Sequence, residues 1–345
     1  MITVQNITKR YGTFEAVKDV SFTVGQDQVL GFLGPNGAGK TTVMKILTGY
    51  HFPTKGEALV DGVSVRDNPV EVKKRIGYLP ESVPVYGDLT VDEYLSFIAD
   101  ARLIARTERR NARNAAIASC GLEQVASKKI EILSKGYKQR VGLAQAIIHD
   151  PAILILDEPT SGLDPNQIIE IRSLIKRLGK RKTVILSTHI LQEVEAVCSQ
   201  VLIISDGRIA AQGTPEEIAG SLKGADTWSL TLKGADVDRV REKLSRLAPA
   251  ERLGGIALDT ADAEGGVVKV SFSTPADGTG QGVDGERIFD WAVAEQLKIL
   301  GMNQKKISLE DIFVRLTSET RTANAVTGAV AGAEDAERAV KEEME

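Results

Sequence analysis

The chain has 345 residues, 42% of them apolar, and its 43 basic and 47 acidic side chains leave a formal charge of −4. That composition excludes wholesale disorder, and near neutrality speaks against a strongly basic nucleic-acid binder. At roughly 150 residues per domain, one large domain and a smaller one are expected.

The charge is unevenly placed. Glu334–Glu345 holds two basic and six acidic residues, so this segment alone carries the net charge. No apolar run approaches the roughly 20 residues that cross a bilayer. The longest uncharged stretches include Gln28–Gly39 and Thr322–Ala333, both short and Gly-rich. Met1–Lys9 lacks the basic-then-apolar form of a secretory leader. Cys120 and Cys198 match no metal or redox spacing and read as buried thiols of a reducing compartment. A cytoplasmic protein is expected.

In chain order, Ala16–Val24 alternates with period two, placing Val20, Phe22 and Val24 on one face of a strand. Gln28–Leu33 is a short apolar run ending at Gly34, and Thr42–Leu47 opens a helix after it. From about Thr90 to Arg140 the pattern is almost wholly helical. Thr90 and Glu93 there have the form of a capping box, followed by Leu95, Ile98 and Ala99 at helical spacing. Ile153–Leu156, Thr183–Leu186 and Val201–Ile204 are short, branched, apolar runs, as strands buried on both faces require. Ile168–Leu178 is a helix between two of them. The repeated strand–helix order predicts an α/β core with a parallel sheet and a helical subdomain, about 90–140, inserted into it.

Around Gly220–Gly224 the pattern changes. Trp228–Leu232 and Val267–Phe272 read as strands, Val237–Leu247 and Arg287–Leu300 as helices. This β-α-β-α order predicts a small α+β domain over 221–317 following a large domain over 1–220. Residues 318–345, rich in Ala, Gly and Thr and then acidic, read as a mobile tail.

Two motifs carry chemistry. Gly34-Pro35-Asn36-Gly37-Ala38-Gly39-Lys40-Thr41 has the form G-x-x-x-x-G-K-[ST], between a predicted strand and a predicted helix. Glycines let successive amides point inward at phosphate oxygens, and the helix start adds its partial positive charge. Lys40 reaches the outer phosphates, Thr41 offers a hydroxyl to Mg²⁺, and Thr42 follows in the same turn. The second motif is Asp157-Glu158 at the end of a buried strand, the edge where α/β sheets bind ligands. Neighbouring strand residues face opposite sides, so one acid suits the Mg²⁺ shell and the other an attacking water.

Read in order, these residues resemble the nucleotide-binding cassette of ABC transporters. Leu133-Ser134-Lys135-Gly136-Tyr137-Lys138-Gln139-Arg140 resembles the family signature, Ser161-Gly162-Leu163-Asp164 its D-loop, His189 its switch histidine, and Tyr11 the aromatic that stacks on adenine. The resemblance covers about 1–220 and implies ATP and Mg²⁺ as ligands. It implies that Glu158 polarises the attacking water and His189 contacts it and the γ-phosphate. It implies Thr41, Asp157 and the loop residue Glu81 at the metal. Tyr11, the phosphate loop, Ser134, Gly136 and Asp164 would hold nucleotide, Ser134 and Gly136 acting on a second cassette of a head-to-tail dimer. Glu81 stands where Gln is usual, and Lys135 and Tyr137 replace a usual Gly and Gln.

Ile76-Gly77-Tyr78-Leu79-Pro80-Glu81, with the C-terminal Ser308–Thr317 at helical apolar spacing, resembles cassettes of ABC-2-type exporters, which serve a separate membrane permease. Two other functions fit the sequence less well. A ribosome- or DNA-acting ATPase is disfavoured: the chain has one cassette, only residues 41–133 separate the motifs, and Arg102–Arg113 and Arg172–Lys182 read as solvated helix faces. A non-hydrolysing ATP-binding module is disfavoured by Glu158 and His189. No nucleic-acid partner is expected.

Overall fold

The computed structural model describes residues 1–215, 217–218, 226–234, 237–247, 254–262, 267–274, 283–305 and 313. Internal contacts divide the chain into two compact units, one built on Met1–Pro215 and the other on Glu216–Val314.

The first unit rests on a six-stranded sheet. Its strands are β3 (Val29–Leu33), β6 (Ile76–Leu79), β7 (Ile153–Asp157), β8 (Thr183–Thr188), β9 (Gln200–Ser205) and β10 (Arg208–Gly213), in the order β10-β9-β3-β8-β7-β6. All neighbours pair in parallel except β9 and β10. Every residue of β3, β7 and β8 is buried. This is the sequence requirement of a parallel sheet covered on both faces.

Alternate residues along these strands feed two cores. Leu30, Phe32, Ile153, Ile155 and Ile185 pack with α1 (Lys40–Leu47) and with a second, antiparallel sheet. That sheet has the order β2-β1-β4-β5, from β1 (Ile2–Tyr11), β2 (Phe14–Val24), β4 (Lys55–Val60) and β5 (Val63–Ser64). Val29, Leu154, Leu156, Val184 and Leu186 pack on the other side with the helices.

The helical insert consists of α3 (Val91–Ala101), α4 (Arg109–Cys120) and α5 (Lys135–Ile147). The short α2 (Pro69–Arg75) precedes β6, and α6 (Pro165–Leu178) and α7 (Leu191–Val197) follow β7 and β8. The capping box at α3 is present: Thr90 Oγ1 accepts from the Glu93 amide at 3.2 Å, and Glu93 Oε2 accepts from the Thr90 amide at 2.9 Å.

In the second unit the structure differs from the sequence reading. Its order is β11 (Asp226–Lys233), α8 (Val237–Leu247), β12 (Gly254–Asp262), β13 (Val267–Thr274), α9 (Gly285–Ala294) and β14 (Lys298–Lys305). The predicted helix Arg287–Leu300 is a helix ending at Ala294 followed by a strand. Gln296 turns the chain at φ 54°, and Lys298 and Ile299 then pair with Lys233 and Leu232. Local helical spacing yields here to a tertiary ladder. The predicted β-α-β-α order is therefore β-α-β-β-α-β, with all strands antiparallel in the order β12-β13-β11-β14. This is the ferredoxin-like arrangement. Trp228, Leu230, Leu232, Val268, Val270 and Phe272 form its core with Val240, Leu244, Ile288 and Trp291 of the helices. The expected acidic tail, and Ser308–Thr317 apart from Phe313, lie outside the described residues.

Thr90→Ala removes the side-chain cap of α3 and leaves the Glu93 amide without its acceptor. It should cost about 1 kcal/mol, read as a lower denaturant midpoint. An unchanged midpoint would show that the insert does not depend on this cap.

Candidate active site

The loop Gly34–Gly39 leaves the carboxyl end of β3 and enters α1. Two glycines have a geometric reason. Gly39 sits at φ 105°, and a Cβ there would lie 2.6 Å from the Ala16 carbonyl oxygen. A Cβ on Gly34 would lie 2.5 Å from the Ile204 carbonyl oxygen. Ala38 is buried, while Asn36 and Gly37 form the exposed crest and Pro35 is half-buried. Thr41 and Thr42 follow Lys40 in the first turn of α1, whose amides have no helical acceptor.

Lys40 is only 6% exposed. Its ammonium donates to the Gly34 carbonyl at 2.8 Å and the Pro35 carbonyl at 3.2 Å, and lies 3.3 Å from Glu158 Oε1. The other carboxylate oxygen of Glu158 meets His189 Nδ1 at 2.9 Å. A chain Lys40–Glu158–His189 thus joins the ends of three neighbouring strand connections. Glu158 has φ 48°, a left-handed conformation uncommon for a residue with a side chain. Its amide donates to Ser187 Oγ and the Ser187 carbonyl, both at 3.1 Å, which anchors the turn to β8.

Asp157, the preceding residue, ends β7. Its Oδ1 accepts from the Ser187 hydroxyl and from Thr41 Oγ1 at 3.4 Å. Its Oδ2 is buried with no hydrogen-bond partner. Burial pushes the carboxyl above its ordinary range, and the charge of the exposed Glu81 adds to this. The two hydroxyls and Lys40 act in the opposite sense. A lone buried carboxylate oxygen beside a threonine hydroxyl suits a hard divalent cation, so Thr41 and Asp157 fit a Mg²⁺ role, while Glu81 contributes negative charge felt at Asp157.

The remaining predicted residues lie at two other places. Tyr11, at the end of β1, is 43% exposed. It packs edge-on against His51 at 5.8 Å, with the Lys9 ammonium 5.2 Å from its ring centre. Burial, Lys9 and Lys45 hold His51 below the usual histidine range. Ser134 caps α5, its hydroxyl accepting from the Tyr137 amide at 3.4 Å. Asp164 caps α6 through the Gln167 amide at 3.0 Å. A Cβ on Gly136 would meet the Gln167 side chain of α6 at 2.6 Å, and one on Gly162 would clash with Lys135 Nζ, so signature and D-loop are neighbours. Among the described residues neither Ser134 nor Gly136 hydrogen-bonds the phosphate loop.

Three polar residues of this edge escaped the sequence reading: Ser187, Thr160 and Glu193. Ser187 precedes Thr188-His189 at the end of an apolar run, and Glu193 is an acid four residues beyond His189. Ser187 was legible as a polar residue ending an apolar run, but Glu193 lies between Gln192 and Val194-Glu195, and nothing local marked either as buried.

Comparison with known proteins matches this geometry to a family. A family model of ABC transporters matches residues 17–161, and one of an AAA domain matches residues 130–195. The ABC transporter ATP-binding protein YxlF of Bacillus subtilis is 38% identical over 218 residues, 63% of this chain and 72% of that protein. The chain belongs to the ATP-binding subunits of ABC transporters. A second B. subtilis member, YhcH, is 30% identical over 93% of this chain and 97% of its own length. The probable multidrug ABC transporter ATP-binding protein YbhF of Escherichia coli is 33% identical over 70% of this chain and 42% of its own. Among solved structures, an ATP-binding subunit of an ABC transporter aligns with TM-score 0.59 at 31% identity, covering 65% of this chain and 95% of the other. A cassette solved as a dimer after hydrolysis, with ADP and Pi, aligns with TM-score 0.57 at 26% identity over 62% and 98%. The chain therefore carries a P-loop ABC cassette.

The raised carboxyl of Asp157 has a thermodynamic consequence. The folded cassette binds this proton more tightly than the unfolded chain does. Ionised Asp157 therefore lowers stability as pH rises above the ordinary carboxylate range. Asp157→Asn should raise the thermal midpoint of the nucleotide-free protein at pH 8, with the gain shrinking toward pH 4. A lower midpoint at pH 8 would contradict this account.

Proposed function

We infer that the chain hydrolyses ATP and drives export through a separate membrane permease. The observation that carries this reading is Glu158, held between the phosphate-loop lysine and His189 at the carboxyl edge of the sheet. Nucleotide phosphates would displace the Gly34 and Pro35 carbonyls and Glu158 from Lys40, freeing the carboxylate. Glu158 then accepts a hydrogen bond from the attacking water and draws its proton, while His189 holds the opposite side and the γ-phosphate. Thr41, Asp157 and Glu81 would hold Mg²⁺, which when bound neutralises charge on the phosphates. Tyr11, beside His51, offers an exposed ring for adenine.

Ser134 and Gly136 lie apart from their own phosphate loop. This supports their acting on the nucleotide of a second copy, in a head-to-tail dimer with the D-loop residue Asp164 at the same face. The dimeric structural neighbour supports the same assembly. ATP binding closes that dimer and hydrolysis reopens it.

Among the described residues no helix is long and apolar enough to cross a membrane, so the spanning part would belong to a partner. A cleft of about 1190 Å³ between the core and the helical insert supports docking of that partner. Tyr50, Lys73, Tyr78, Arg102, Leu103 and His149 line it. The protein would then sit peripherally on the inner face of the membrane. The exporter reading is supported by the Gly77–Glu81 loop and by a relative described as a probable multidrug transporter protein.

Glu158→Gln should abolish turnover, a loss of about a hundredfold or more, while ATP still drives dimer formation in size-exclusion chromatography. Undiminished phosphate release by this variant would overturn the role of Glu158. Lys40→Ala should lose ATP-driven dimerisation itself.

A further inference from the structure

Glu193 is 1% exposed and has no place in the reading above. A buried carboxylate is costly unless paired and hydrogen-bonded. Its partners are specific. One oxygen accepts a hydrogen bond from the Thr160 hydroxyl, the other accepts from Thr188 Oγ1 at 2.8 Å. Arg172 Nη2, from α6, lies 3.8 Å away. The Arg172 Nε is buried with no hydrogen-bond partner.

These partners belong to the segments that carry the hydrolysis residues. Thr160 is two residues past Glu158, separated from it by Pro159. Thr188 directly precedes His189, and its oxygen also accepts from the Ile190 amide at 3.0 Å, bracketing His189. Glu158 occupies a left-handed backbone conformation that persists only when its surroundings hold it. Arg172 adds the helix whose cap is the D-loop residue Asp164. One carboxylate therefore joins the Glu158 turn, the His189 turn and the D-loop helix.

We propose that Glu193 is a positioning residue for hydrolysis, clamping Glu158 and His189 in register through Thr160 and Thr188. It acts on Glu158 and His189 through these two hydroxyls, not by direct contact with either side chain. The proposal rests on the hydrolytic reading of Glu158 and His189.

The test uses the full-length chain with Mg-ATP and the variants Glu193→Gln, Thr188→Val and Thr188→Ser. Glu193→Gln and Thr188→Val should lower kcat about ten- to a hundredfold, since displacing catalytic groups by about an ångström has effects of up to this order. KM for ATP should stay within about twofold, because the clamp acts on the transition state rather than on nucleotide binding. Thr188→Ser, which keeps the hydroxyl, should recover most of the kcat that Thr188→Val loses. Placed on Glu158→Gln, Glu193→Gln should leave ATP-driven dimerisation intact. A kcat for Glu193→Gln within about twofold of the parent chain overturns the clamp. So does a fall in kcat matched by loss of ATP affinity, or equal losses in Thr188→Ser and Thr188→Val. Full turnover by Glu158→Gln alone overturns the hydrolytic reading itself, which separates the two failures.

Discussion

The first unit is organised around a concentration of buried charge at the carboxyl edge of its parallel sheet. Lys40, Asp157, Glu158 and Glu193 are all under 9% exposed. Charges in such a setting are strongly unfavourable unless compensated. The compensation comes from elements far apart in sequence: phosphate-loop carbonyls and Glu158 at Lys40, Ser187 and Thr41 at Asp157, Thr160 and Thr188 at Glu193. Asp157 alone keeps an unpartnered buried oxygen. The edge is thus nearly but not fully satisfied.

The fold makes that edge possible. Parallel pairing of β3, β7 and β8 brings Gly34, Asp157, Glu158 and His189 to one end of adjacent strands. Both faces of these strands are covered, one by α1 and the antiparallel sheet, the other by the helical insert and α6. The sheet cannot bend without disturbing both cores, so it is a stiff support for the loops at its end. The insert adds a second feature, the cleft against α2 and β6 in which Lys73 and Arg102 lie beside exposed Tyr50 and Leu103. His149 lines this cleft with its pKa lowered to about 4, by burial and then by Arg102.

Much of the first unit was legible because its signals are local. An apolar run that must be buried on both faces reads as such, and the spacing of Gly34–Thr41 fixes a loop whatever surrounds it. The capping box at Thr90 likewise needs only four consecutive residues. The second unit was less legible. Arg287–Leu300 has helical spacing throughout, yet the chain turns at Gln296 to pair with β11. Strand β12 carries Gly254, Gly255 and three aspartate or threonine positions, a weak strand signal rescued by its ladder to β13. Propensity yields where a cross-strand ladder forms, whether the partner is distant, as β11 is for β14, or adjacent, as β13 is for β12.

The sequence by itself determined the cassette: the motifs, their order and the strands that precede them. These are short-range patterns of residue type, and the chemistry of phosphate and divalent metal allows few substitutes. Only the tertiary structure decided which polar groups answer one another. That Glu158 lies between Lys40 and His189, that Ser187 serves both acids, and that Glu193 is buried between Thr160 and Thr188 all depend on strand neighbours β3, β8 and β7. Those neighbours are separated by more than a hundred residues in places, and no spacing along the chain encodes that adjacency. The same holds for the ferredoxin-like unit, whose last strand exists because β11 offers it an edge.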